Sequence, residues 1–324
     1  MSGFTHLPDL ASRDLAGSVC AANDEFFAAR ENLIRPEPPS AVHTFGHKGK
    51  EYDGWETRRR REPGSDWAIV RLGVPGVVHG VVVDTAYFTG NFPPHVSVEG
   101  AVVSGYPSAA ELDSFAWEPL VRRSPVLGDT RNEYAVADRR TWTHVRLTIH
   151  PDGGVARFRV HGTPVPDKRF LVGTIDLAAL ENGGSLVSCS DAFYGSAGRL
   201  ILPGRARHMG EGWENSRRRD GGHDWALFRL AGHGVVRHVE LDTSYFLGNA
   251  PGWVRLAGCT AASDADADAD LDSAAWVDLV PRVRSQPDTR HRFLVAEDRP
   301  VTHVRLDVYP DGGMARLRVW GELL

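Results

Sequence analysis

Over residues 141–162 apolar and polar positions alternate with a period of two. Val145, Leu147 and Ile149 are interleaved with His144, Arg146 and Thr148, and Ala156, Phe158 and Val160 with Arg157 and Arg159. Successive side chains of an extended chain point to opposite faces, so this is the pattern of strands half buried on one face. Between the two runs lies Pro151-Asp152-Gly153-Gly154, turn chemistry that predicts an antiparallel hairpin, and the same four residues recur at 310–313. Further strand-like runs cover 67–72, 77–83 and 95–103, with counterparts at 225–230, 235–241 and 253–259. Only 23–33 and 176–181 carry the signals of short helices or turns. Many short strands separated by turn residues predict an all-β chain.

Those counterparts belong to a longer repetition. Residues 54–91 recur without a gap as residues 212–249, with more than half of the positions identical. The match includes Gly54-Trp55-Glu56, Arg59-Arg60-Arg61, Asp66-Trp67, Asp84-Thr85, Tyr87-Phe88 and Gly90-Asn91, polar and glycine residues that a β-sandwich core alone does not demand. Upstream, 9–34 resembles 176–201, and downstream 143–162 matches 302–321. The first copy carries nine more residues between Ile34 and Gly54, a Pro-, Gly- and His-containing stretch that reads as a loop. The expected architecture is all-β, two tandem jelly-roll β-sandwich domains, 1–170 and 171–324, produced by internal duplication.

Composition adds bounds. The 324 residues suit two domains. The net charge of −5 gives no field that would attract nucleic acid or anionic lipid. Of 37 basic residues only Lys48, Lys50 and Lys168 are lysine. Cys20, Cys189 and Cys259 are an odd number at unrelated spacings, which fits a reducing compartment. No apolar run approaches a membrane span, and the first residues lack the regions of a signal peptide. A cytoplasmic location is expected.

Searches for metal and nucleophile motifs return little. His43 and His47 sit four apart in the inserted loop with no carboxylate at ligand spacing. The acidic run Ser263 to Asp270 lacks the glycine and terminal glutamate of a calcium loop and reads as a solvated loop. There is no phosphate loop and no GxSxG, so no metal and no cofactor is expected. What remains is the duplicated polar set: Glu56, Asp84, Tyr87, Asn91 and the arginines, with Glu214, Asp242, Tyr245 and Asn249 in the second copy. Alternation sends Arg59 and Arg61 to the face opposite Arg58 and Arg60. These cations read either as a solvated strand face or as an anchor for a small anion. Asp84 and Asp242 read either as turn residues capping backbone amides or as site residues. The copies differ where the first has Ser65 and the second His223, an imidazole, the side-chain type that exchanges protons near neutral pH.

Taken together, GWETRRRR, DW and DTxYFxGN in the first copy and GWExxRRR, GHDW and DTxYFxGN in the second resemble the allantoicase family over essentially the whole chain. The second copy reads GWEN for GWET and has Ser216 for Arg58. The resemblance implies hydrolysis of allantoate to ureidoglycolate and urea, and a homo-oligomer, hexamer or trimer, with a small-molecule substrate as its partner. Allantoate carries one carboxylate and two ureido groups on one carbon. Arg59 or Arg60 (Arg217 or Arg218 in the second copy) are expected to orient the carboxylate. Asp84, Tyr87 and Asn91, or Asp242, Tyr245 and Asn249, would hold the ureido groups. Glu56 or Glu214 would act as acid and base, with His223 as a further candidate. The competing reading is a duplicated, non-catalytic ligand- or carbohydrate-binding module.

Overall fold

The computed structural model describes residues 3–261, 271 and 274–324. The chain divides into two compact units, Met1–Pro166 and Asp167–Leu324. Both are built almost wholly of antiparallel strands, and both are organised on one strand of 19 residues, Asp66–Asp84 in the first and Asp224–Asp242 in the second.

In the first unit the opening half of Asp66–Asp84 pairs with Ser18–Ala22 and with Thr141–His150, which continues to His95–Ala101 and Glu118–Pro125. Its closing half pairs instead with Arg157–Pro164 and Arg131–Ala135. One strand thus serves both layers of a jelly-roll sandwich. It turns between them where the register with Thr141–His150 breaks, between Arg71 and Gly76. Gly73 and Pro75 occupy that corner. A Cβ on Gly73 would lie 1.8 Å from the Leu15 carbonyl oxygen, so no larger residue fits there. Pro75, which cannot donate to a ladder, sits where the ladder is already interrupted. The apolar positions of the period-two pattern fill the interior. Leu147, Ile149, Phe158, Val160, Val81 and Val83 are all fully buried, together with Trp55. The second unit repeats the order, with Val301–Tyr309, Trp253–Cys259 and Val277–Arg284 on the opening half of the long strand and Arg316–Leu323 and Arg290–Leu294 on its closing half.

The all-β, duplicated architecture read from the sequence is the one observed, but the expected hairpin is not. Thr141–His150 and Arg157–Pro164 do not pair with each other; each pairs with a different half of the same long strand. The turn 151–154 therefore arches from one layer to the other. Its polar groups bond to other segments: the Pro151 carbonyl accepts from the Asp66 amide at 3.0 Å, and Gly154–Val155 forms a short ladder with Trp55–Glu56. One short helix, Ala109–Asp113, was not anticipated, although Ser108 and Glu111 form the capping box that starts it. The acidic run 263–270 lies outside the described residues.

Candidate active site

The arch at 151–154 is what brings the recurring polar residues together. The indole N–H of Trp55, buried in the core, donates to the Asp24 carbonyl at 2.8 Å and fixes the start of the Gly-Trp-Glu segment. Glu56 then pairs with Ala28 on one side and Gly154 on the other. The Gly154 amide donates to the Asn91 carbonyl at 2.7 Å, so the arch holds both Glu56 and Asn91. Their side chains meet: Asn91 Nδ2 donates to Glu56 Oε1 at 2.7 Å. Burial pushes the Glu56 carboxyl above the ordinary carboxylate range, while the hydrogen bond from Asn91 pulls the other way.

The stretch 35–53 of the first copy, nine residues longer than its counterpart, borders this pair. It contains a two-rung ladder between Phe45–Gly46 and Gly49–Lys50. Glu56, Asn91, Gly90, Thr89 and Phe27 line a hollow of about 340 Å³ whose remaining wall is Lys48, Lys50 and Tyr52 from that stretch. A second hollow of about 210 Å³ shares Lys50, Tyr52 and Thr89 with it and extends to His43, Tyr87 and Asp129. Tyr52 is fixed by stacking on Phe88, with ring centroids 4.7 Å apart. Lys48 Nζ donates to the Phe26 carbonyl at 2.7 Å, and Lys50 Nζ stands 4.9 Å from the Tyr52 ring centroid. Among the described residues neither lysine has a carboxylate partner. The cleft thus joins two ammonium groups to one half-buried carboxyl whose proton affinity is raised.

The family model for the allantoicase repeat matches residues 8–165 and 175–324. This chain belongs to the allantoicase family. A probable allantoicase of Nocardia farcinica is 56% identical to it over 99% of this chain and 96% of the relative. One of Streptomyces coelicolor is 49% identical over 99% of this chain and 86% of the relative. Among solved structures, the crystal structure of allantoicase from Saccharomyces cerevisiae superposes with a TM-score of 0.83 at 35% identity, covering 98% of this chain and 93% of that one.

Within this allantoicase fold the other residues singled out from the sequence separate into frame and surface. Arg60 is tied to the frame: its guanidinium lies 2.6 Å from the buried carboxylate of Asp66, and its amide donates to Asp152. Arg218 makes the matching contacts with Asp224 and Asp311. Arg59 and Arg217 are exposed. Asp84 and Asp242 follow the turn reading, accepting from the amides of Ala86 and Ser244 at 2.9 Å. Tyr87 and Tyr245 adopt left-handed backbone, φ 68° and 72°, locked by their amides donating to Asp129 and Asp288. Tyr87 reaches the smaller hollow and not the Glu56 wall. The differences between GWET and GWEN and between Arg58 and Ser216 conserve contacts. The Gly153 amide donates to the Thr57 hydroxyl, and the Gly312 amide to the Asn215 carbonyl oxygen. Arg58 and Ser216 both donate to the carboxylate of the equivalent aspartate, Asp24 or Asp191.

The second copy keeps the pair but not the cleft. Asn249 Nδ2 donates to Glu214 Oε1 at 2.6 Å, and also approaches Met209 Sδ at 3.4 Å. Counting back from Gly-Trp-Glu, the places of Tyr52 and Lys50 hold Gly210 and His208. The nearby cations are already paired, Arg207 with Glu211 and Arg205 with Asp242 at 3.9 Å. His223 stands apart from Glu214, in a separate hollow beside Tyr309 with its Nε2 3.1 Å from Asp307. Lys48, Lys50 and Tyr52 line the Glu56 hollow and were not among the residues singled out from the repeat. Their signal was the insertion itself, which holds two of the chain's three lysines.

Proposed function

We propose that this chain hydrolyses allantoate to ureidoglycolate and urea at the Glu56 cleft of the first unit. Membership of the family supports the reaction, and one observation supports the location: the only lysines near either Glu-Asn pair line the cleft that contains the Glu56 carboxyl, among the described residues. In this reading Lys48 and Lys50 bind the allantoate carboxylate, each as a compact positive charge. Glu56, held in place by Asn91 and kept protonated further toward neutral pH by burial, donates its proton to the ureido nitrogen that leaves. The bond from that nitrogen to the central carbon breaks and urea departs with the proton; water oxygen takes its place on the carbon as a hydroxyl, and the proton that water sheds returns to the Glu56 carboxylate. Tyr52 supplies the apolar wall that limits solvent around the carboxyl. Arg59 and Arg217, being exposed, serve at most to attract the anion.

The family resemblance further supports a homo-oligomer, a trimer or hexamer, which light scattering on the purified protein measures, and the free cysteines Cys20, Cys189 and Cys259 support a cytoplasmic location. No helix among the described residues is long and apolar enough to cross a membrane. The test of the activity is urea release from allantoate by the purified protein, beside allantoin and ureidoglycolate. Urea from allantoate is the expected result; folded protein that releases none returns the chain to the binding-module reading.

A further inference from the structure

Two hollows of the second unit are lined by arginine, several in one and Arg282 in the other, and they differ in what those arginines face. The larger, about 720 Å³, is lined by Arg290, Arg292 and Arg318. The first two are neutralised by Glu240 at 3.2 and 3.3 Å and the third by Asp176 at 3.5 Å, so this hollow offers little free charge. The smaller, about 380 Å³, is lined by Trp253, Tyr309, His223 and Arg282 with the loop at Asp220. The Arg282 guanidinium carbon lies 4.1 Å from the Tyr309 ring centroid and 5.6 Å from that of Trp253, and Arg284 approaches Trp253 from 5.8 Å. Among the described residues neither of these two arginines has a carboxylate partner.

The acids close by are spent. Asp220 pairs with Arg218 at 2.9 Å. Asp307 is 1% exposed and is shared by Arg255 at 3.1 Å, Arg305 at 2.8 Å and His223 at 3.1 Å. Its work is to hold the imidazole, which lies against Tyr309 with ring centroids 4.3 Å apart and 27° between planes. Trp253 remains 41% exposed, a large indole face turned to solvent. The Tyr309 ring is thus already covered by His223 and Arg282, and the hollow offers the flat face of Trp253 beside unneutralised forked donors. A guanidinium matches a carboxylate in two parallel hydrogen bonds, and an aromatic wall favours a flat partner by offset stacking.

The first unit lacks this combination. Ser65, His95 and His150 stand where the second unit has His223, Trp253 and Tyr309. There the hydroxyls of Ser65 and Ser97 bond both ring nitrogens of His150, at 2.7 and 3.0 Å.

We propose that the second unit carries a separate binding site for a small planar organic anion, an aromatic or heteroaromatic carboxylate, held between the Trp253 face and the Arg282 guanidinium, with Tyr309 and His223 as the rear wall. The volume lies at the small end of the roughly 300–1,000 Å³ typical of ligand pockets, which suits a single ring with its carboxylate. The site shares no residue with the Glu56 cleft, and the proposal does not depend on what that cleft does.

Calorimetric titration of the full chain with benzoate tests it, with benzamide as the uncharged and cyclohexanecarboxylate as the non-planar counterpart. Arg282→Gln keeps most of the side chain while removing the charge, and Trp253→Leu keeps an apolar group while removing the flat face. Both positions are at the surface, and an unchanged circular dichroism melt verifies folding. Benzoate is expected to bind the wild-type chain, with affinity reduced by roughly tenfold or more in Arg282→Gln and for benzamide. A smaller loss, about three- to tenfold, is expected in Trp253→Leu and for cyclohexanecarboxylate. Failure of the wild-type chain to bind benzoate, or equal affinity in wild type and both folded variants, overturns the proposal.

Discussion

Glu56 and Asn91 could be picked out of the sequence because they recur with their neighbours as Glu214 and Asn249, and the side-chain hydrogen bond between them is the same in both copies. Lys48, Lys50 and Tyr52 could not be found that way, because a comparison of repeats sets aside what only one repeat contains. Arg60 was ambiguous for a different reason. A guanidinium pairs as well with a buried Asp66 as with a substrate carboxylate, and only the fold decides between them. On the present account Lys50→Ala raises the KM for allantoate by roughly 10- to 100-fold, the worth of a charge-assisted hydrogen bond, with kcat little altered. A fall in kcat at unchanged KM would move Lys50 out of the binding role. Glu56 also leaves a mark on stability. Because burial raises its carboxyl in the folded state, folding is favoured while the group is protonated, and that contribution is lost as pH rises through the raised value. Glu56→Gln should therefore melt higher than wild type at pH 8, and the gap should close toward pH 4. Melting curves at the two pH values check this sign.

At the scale of elements, the strands were legible from their period of two, but their pairing was not. Pro-Asp-Gly-Gly between two amphipathic runs is compatible with a hairpin and with an arch between layers. The choice falls to Asp66–Asp84, long enough to pair with one run along each half. No local signal in 151–154 carries that information. The arch also explains why the turn recurs: in both copies its last glycine donates to the Asn91 or Asn249 carbonyl, and the residue after it pairs with Trp55 or Trp213 beside the glutamate. Gly153 has φ 138°, and a Cβ there would lie 2.7 Å from the Pro93 nitrogen and 2.8 Å from the Asn91 carbonyl oxygen. Gly153→Ala is expected to cost about 1–3 kcal/mol of stability through backbone strain. It should also lower kcat by displacing Asn91. Denaturant titration and urea release measure the two effects, and a variant with wild-type stability would contradict the role given to the arch.

At the scale of the whole chain, duplication was plain from the recurring motifs, and the two units share one strand order. Divergence between the copies was visible only as scattered substitutions, because what they do depends on which residues the fold gathers. In the first unit the longer stretch 35–53 sets lysines beside the Glu-Asn pair; in the second, Gly210, His208 and Met209 stand there and the nearby cations are paired. Two equivalent polar pairs thus sit in unequal surroundings, and hydrolysis is assigned to the first. The most direct measurement is the turnover of allantoate by Glu56→Gln and by Glu214→Gln, each compared with wild type under saturating substrate. Loss of a positioned general acid at Glu56 should lower kcat about 10²- to 10⁴-fold, while Glu214→Gln should retain kcat within about twofold. Equal losses in the two variants, or the larger loss in Glu214→Gln, would contradict the account.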